Sequence, residues 1–299
     1  MTSNKMIKRI FHSLTSASSD LFRRWGALLI LLVLYLAMLG AIYWFFVTRE
    51  ATIGQLILSF LLALAAPILF FIIQTMAARY SHENSRAWSL LGGSLRDFWK
   101  LLVISLPIIL IAVFALYLFN KIGTSAQVTT QGALRVQVPV VDEAARAVPA
   151  PSRPLTPKPQ PVNWQSVAIT TIQYLLFCLI LPLAAIHLWI GTARDGLKQT
   201  VKRSHRILAR AFAPRSVVIY LIGFLCFAVV PYFLIVTRTP LSSVWLDAGL
   251  LVARLLLAAV LSLIGWVVTV GALGDLNNEG TAANLPQPNE GPGHVPAEA

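Results

Sequence analysis

The sequence predicts an all-α integral membrane protein with six transmembrane helices. Three features carry that prediction: a composition too apolar for water, six long apolar runs, and basic residues that alternate from one side of those runs to the other. Of the 299 residues, 57% are hydrophobic and only 12% are charged. The shell of a water-soluble domain this size needs about a quarter of its residues charged, so the bilayer must act as solvent. Six runs approach or exceed the roughly 20 apolar residues that cross about 30 Å of hydrocarbon: 26–47, 55–77, 101–119, 167–191, 217–237 and 249–273. Backbone in lipid has to satisfy its own hydrogen bonds, which makes each run a helix.

Sidedness follows from the cations. Before span 1 stand Lys5, Lys8, Arg9, Arg23 and Arg24. Between spans 2 and 3 stand Arg79, Arg86, Arg96 and Lys100, and between spans 4 and 5 stand Arg194, Lys198, Lys202, Arg203, Arg206, Arg210 and Arg215. The opposite side holds only Arg49, Lys121, Arg135, Arg146, Arg153, Lys158 and Arg238. The positive-inside rule then puts both termini in the cytoplasm. With no targeting segment evident, the expected location is a bacterial inner membrane. The net charge of +12 reads as topology anchoring and attraction to anionic lipid. No aromatic-basic platform suggests nucleic acid.

Taken in order, residues 1–25 form an amphipathic segment on the cytoplasmic side. Ile7, Ile10, Phe11, Leu14, Ala17, Leu21 and Phe22 share one helical face, with Lys5, Lys8, Arg9, Ser16, Ser19 and Arg23 opposite. Run 26–47 is longer than the apolar core of a signal peptide and reads as an anchor. A second amphipathic segment precedes span 3, with Trp88, Leu91, Leu95, Phe98 and Trp99 as its apolar side and Arg96 and Lys100 opposite. A third precedes span 5. There Leu197, Val201, Ser204, Leu208 and Ala211 form the stripe, and Lys198, Lys202, Arg203, Arg206 and Arg210 form the polar face. Such helices lie in the interface plane, and those five cations are the candidate contacts to anionic lipid headgroups.

The even spans hint at duplication. Pro67 and Arg79 recur as Pro182 and Arg194, and Leu64 and Ala78 as Leu179 and Ala193, all at one offset. The expected plan is three parallel units, 6–79, 88–194 and 197–275, each an interfacial helix plus a helical hairpin. The membrane domain spans 26–273 and carries an external loop at 120–166. In that loop, Gln127 to Gln131 and Leu134 to Val138 suggest a small β-hairpin. The prolines from Pro149 to Pro161 suggest extended polyproline II, serving as a spacer or a docking segment for a protein partner. The tail 274–299 is Asn, Pro, Gly and Glu rich and is expected to be disordered.

Chemistry is sparse. None of the twelve acidic residues falls inside an apolar run, which removes the intramembrane carboxylate common in ion-driven carriers. The five histidines, His12, His82, His187, His205 and His294, have no metal-ligand spacing. There is no Gly-rich phosphate loop and no Gly-x-Ser-x-Gly. Cys178 and Cys226 sit near mid-span and read as packing residues. The expectation is therefore no cofactor, no metal and no catalytic residue.

Four polar residues in or beside the spans remain as candidate sites. Arg254 lies in span 6 near its external end and is expected to snorkel outward, with Asp247 two turns away. His187 in span 4 and Gln74 in span 2 are expected to bridge helices. The functional expectation is a non-enzymatic protein that organises lipids or partner proteins at the cytoplasmic face. A transporter or permease for a small or amphipathic solute is the alternative.

Overall fold

Every apolar run is a helix in the computed structural model, which describes residues 3–48, 52–80, 86–135, 164–237 and 243–282. Among the described residues there is no strand. Six helices are long and apolar enough to cross a membrane, so this is an all-α, multi-pass integral membrane protein. Helix α1 (Ser3–Arg23) precedes span 1, α2 (Trp25–Val47). Span 2 is α3 (Ile53–Tyr80), and span 3 lies within α4 (Ala87–Arg135). Span 4 is α5 (Trp164–Leu175), a π-turn (Leu176–Ile180) and α6 (Leu181–Asp195). Two short helices follow, α7 (Leu197–Lys202) and α8 (Ser204–Ala211). Span 5 is α9 (Pro214–Phe224), a π-turn (Leu225–Val229) and α10 (Val230–Val236), and span 6 lies within α11 (Val244–Ala282).

The chain forms two compact units, divided at prolines. One comprises Met1–Leu106 with Leu183–Ala299, the other Pro107–Pro182. Within the smaller unit, Phe119 meets Phe177 edge to face at 6.4 Å, while Leu110, Phe114, Tyr117 and Tyr174 are exposed as a lipid-facing surface requires.

The larger unit holds the core. Phe71–Ala78 of α3 and Leu183–Ile190 of α6 are buried on every face, the state of a helix surrounded by others. Thr269–Gly274 of α11 is buried in the same way. All three stretches lie in the halves of their spans toward the end that carries Arg24, Arg79, Arg194, α7 and α8, here termed the basic end. The other halves of these helices expose Phe60, Leu61, Leu255 and Leu256.

Close packing of spans 5 and 6 depends on small residues. A Cβ at Gly223 would overlap Thr269, and one at Gly265 would stand 3.0 Å from the backbone N of Phe227. Backbones approach this closely in lipid only where side chains are absent. Phe227 lies in the second π-turn. Both π-turns end two residues before a proline, Pro182 or Pro231. Proline has no N–H and crowds the carbonyl four residues back. The residue just before it, Leu181 or Val230, donates instead to a carbonyl five back, Leu176 or Leu225. The wide turn thus keeps the ladder engaged on the approach to the proline.

The three amphipathic segments meet their spans in three different ways. Arg24 (φ −110°, ψ 48°) breaks the chain between α1 and α2. Tyr80 at the end of α3 staples that corner: its hydroxyl donates to the carbonyls of Asp20 at 3.1 Å and Leu21 at 3.0 Å. In return Arg24 Nη1 donates to the Tyr80 carbonyl at 3.2 Å, with its guanidinium over the Tyr80 ring. The second segment has no break at all and runs straight into span 3 as part of α4. The third is interrupted at Arg203, between α7 and α8.

The three segments also differ in which side the bundle buries. In α1 the expected apolar face splits: Ile10 and Leu21 are buried and Ala17 faces Gly271 of α11, while Phe11 and Phe22 are exposed. In the segment before span 3, Trp88, Leu95 and Trp99 of the apolar stripe are exposed, as a side turned to the lipid interface is. Leu90, Ser94, Asp97 and Leu101 face inward instead. Tryptophan at a helix end prefers the lipid headgroup zone to the protein interior. In α7 Val201 is exposed and Thr200 is buried, beside Gly191 of α6.

The β-hairpin is not formed, since α4 continues to Arg135. A helix already nucleated adds one hydrogen bond per residue, which a marginal two-stranded ribbon does not match. Likewise α11 extends to Ala282, into the stretch expected to be disordered. Val136–Val138, the proline-rich stretch 149–161 and residues 283–299 lie outside the described residues.

Candidate functional site

Two polar neighbourhoods stand out in the larger unit. The first is at the basic end, where α3, α4 and α6 bring charged side chains around a cavity of about 320 Å³. Its walls carry Arg79, Arg96, Asp97, Lys100, Arg194 and Asp195. Asp97 is its centre. It lies on the inward face of α4, one turn after Ser94 and one turn before Leu101. One carboxylate oxygen accepts from Arg79 Nη2, and the other from Lys100 Nζ at 2.6 Å with Arg96 Nε at 3.9 Å. The Arg79–Asp97 pair is largely dry, with side chains 13% and 9% exposed. Gly93, one turn before Asp97, makes room for it, because a Cβ there would overlap Arg79 Nη1.

Also in the lining, Arg194 Nε pairs with Asp195 at 3.3 Å. Thr75 and Thr192, also in the lining, donate their hydroxyls to their own helices, to Phe71 and Leu188. Their oxygens therefore present lone pairs, and the donors that face the cavity belong to the cations.

The second neighbourhood lies within the bundle. A cavity of about 240 Å³ is lined by Tyr35, Met38, Phe70, Gln74, Phe227, Ser262 and Trp266, among others. Trp266 Nε1 donates to Gln74 Oε1 at 2.7 Å, tying span 6 to span 2. Tyr35 and Ser262 contribute their hydroxyl groups to the same lining. Trp189 joins the same aromatic cluster edge to face, 5.9 Å from Phe70 and 6.5 Å from Trp266. Its indole N–H donates to Ser105 Oγ at 2.7 Å, so each of the two indoles has its acceptor.

The residues singled out in the sequence fall into separate places. Lys198, Lys202, Arg203, Arg206 and Arg210 are all exposed on α7, α8 and the kink between them, while Thr200 and Ala211 are buried on the other side. Gln74 bridges two spans as expected. His187 does not: it is buried, and its Nδ1 contacts the carbonyl of Leu183 at 3.0 Å within its own helix. Arg254 does reach out of the bundle, but it donates to the carbonyl of Thr237, the residue that ends α10, rather than to Asp247. A guanidinium there caps orphaned carbonyls at the negative end of a helix. Asp247 is exposed in the first turn of α11, next to that helix's free amides.

The structure thus does not gather Arg254, Asp247, His187 and Gln74 into one site. Sequence reasoning missed Asp97, Ser105, Trp189 and Trp266. Spacing alone could have flagged Asp97, since Leu90, Ser94, Asp97 and Leu101 repeat at helical intervals. Among the described residues no group of three or more His, Cys, Asp or Glu is placed to hold a metal. No protein-family model matches the chain, and no curated protein or solved structure matches it either.

Proposed function

We propose that this protein is a non-enzymatic membrane component that gathers anionic lipids, or a partner protein, on its basic end face. In this reading that face is cytoplasmic and the membrane is a bacterial inner membrane. The observation that carries it is the α7–α8 segment. Five cations within 13 residues are exposed together, while the opposite side of the same segment packs on the bundle. A surface of that kind attracts an anionic leaflet with about 1 kcal/mol per basic side chain. Aromatic side chains at the same end, Trp25, Trp88 and Trp99, are exposed as headgroup-level anchors are.

The test is lipid retention by the full chain in nanodiscs of mixed zwitterionic and anionic lipid. Replacing Lys198, Lys202, Arg203, Arg206 and Arg210 with Gln is expected to remove most of the enrichment of anionic lipid and the recovery of any protein partner. Unchanged enrichment and recovery overturn the proposal.

A transporter is the second reading, and the Gln74–Trp266 cavity favours it. That cavity offers an apolar wall with a few fixed polar groups, the usual make-up of a small-molecule site. Uptake into proteoliposomes that is lost in Ser262→Phe supports this reading, and absence of uptake across solute classes removes it.

A further inference from the structure

We propose that the cavity among Arg79, Arg96, Lys100 and Arg194 is a binding site for a phosphate group. It deepens the reading above, since a lipid phosphate is one source of such a group, but it concerns a formed pocket rather than the α7–α8 surface. Four cations against two carboxylates leave the lining with a net charge of +2. Three helices supply them, α3, α4 and α6, so no single flexible loop sets their spacing. Arg79 and Arg194, the pair related by the repeat offset, both line the cavity.

Asp97 is the fixed internal anion of this arrangement. It draws Arg79, Lys100 and Arg96 toward one point, with Arg79 and Lys100 as its close partners. Lys100 has three donors and Arg96 has five. Asp97 takes one from Lys100 and meets Arg96 only as an ion pair at 3.9 Å, which leaves the rest for a tetrahedral oxyanion. Arg194, 28% exposed, adds a further guanidinium to the same lining. Guanidinium pairs match phosphate oxygens in bidentate fashion, and an ammonium adds a point charge. Basic pockets between transmembrane helices hold phosphorylated headgroups by this chemistry. In this site Arg96, Lys100 and Arg194 contact the phosphate. Arg79 and Asp97 hold the frame.

The chemistry is shared by a lipid phosphomonoester and by free phosphate, and the experiment separates them. The full chain is placed in phosphatidylcholine nanodiscs, with or without about one-tenth phosphatidic acid, and retained lipid is counted by native mass spectrometry. Inorganic phosphate binding is measured in parallel by calorimetry. Arg96→Gln with Arg194→Gln removes two contacts and leaves the Arg79–Asp97 pair intact. Saturable phosphatidic acid retention that weakens about thirtyfold in this double variant establishes a lipid headgroup site. Saturable inorganic phosphate binding lost in the same variant establishes a free-phosphate site.

The five-Gln variant of α7–α8 is expected to leave either signal in place, which distinguishes this proposal from the surface reading. Retention and phosphate binding that match the wild type in Arg96→Gln/Arg194→Gln overturn it, as does the lack of any saturable binding in the wild type. Thermal unfolding of each variant checks that the bundle is intact. If the double variant does not fold, Lys100→Gln alone is read in the same two assays, with the same two outcomes deciding.

Discussion

Gly93 of α4 leaves the space in which the Arg79 guanidinium lies against Asp97. A single missing methyl thus lets a charge from span 2 reach a carboxylate on the next helix. Taking one member from a dry ion pair leaves the other charge without its counterion, at a cost of about 3 kcal/mol or more. Asp97→Ala should therefore lower the unfolding free energy in detergent by about that amount. Arg79→Met combined with Asp97→Ala should recover much of it. Gly93→Val should mimic Asp97→Ala, since it forces Arg79 aside. A Gly93→Val protein as stable as the wild type would show that Arg79 has a second resting place.

The bond from Trp266 to Gln74 is a polar link between spans 6 and 2. Inter-helix hydrogen bonds in membranes are worth about 1 kcal/mol. Gln74→Leu and Trp266→Phe should each destabilise by about that much, and a double-mutant cycle should return a coupling of similar size. Additive effects would mean that the two residues act independently.

Spans 5 and 6 pack through Gly223 and Thr269. Gly223→Ala overfills that contact and should cost about 1–3 kcal/mol. Gly223→Ala with Thr269→Ala restores the space and should return most of the loss. Chemical denaturation of the single and double variants measures this directly.

Arg254 caps α10 through the carbonyl of Thr237. Arg254→Leu should cost about 1 kcal/mol, as loss of a capping interaction does, and should leave any solute uptake through the Gln74 cavity unchanged. Uptake abolished by this variant at wild-type stability would return Arg254 to the transport path.

Orientation has its own readout. In a background with Cys178 and Cys226 replaced by Ser, a cysteine at Ser125 should react with an impermeant thiol reagent applied from outside intact cells. A cysteine at Ser204 should stay unlabelled until the membrane is opened. The reverse pattern would invert the topology.

Much of the architecture was legible because each run has only one solution in lipid. The six apolar runs and the six helices agree within a few residues at most span ends. Less of the site was legible. Trp88, Leu95 and Trp99 read as the lipid-interface side of their helix and are exposed, but nothing singled out Asp97, which turns inward. The lysines and arginines of α7 and α8 were readable because their exposure follows from their charge. The meeting of Arg79 with Asp97, and of Gln74 with Trp266, was not, since 18 and 192 residues separate the partners.

The sequence by itself determined that this chain crosses a membrane six times as helices, because a long apolar segment in hydrocarbon must bond its own backbone. It also determined where charge accumulates. Only the tertiary structure decided which face of each helix is buried, which residues surround the two cavities, and that His187 stays within its own helix. The reason is that lipid is as apolar as a protein core. In water, hydrophobicity marks the inward face of a helix. In a bilayer both faces are apolar, and only packing and a few hydrogen bonds tell them apart.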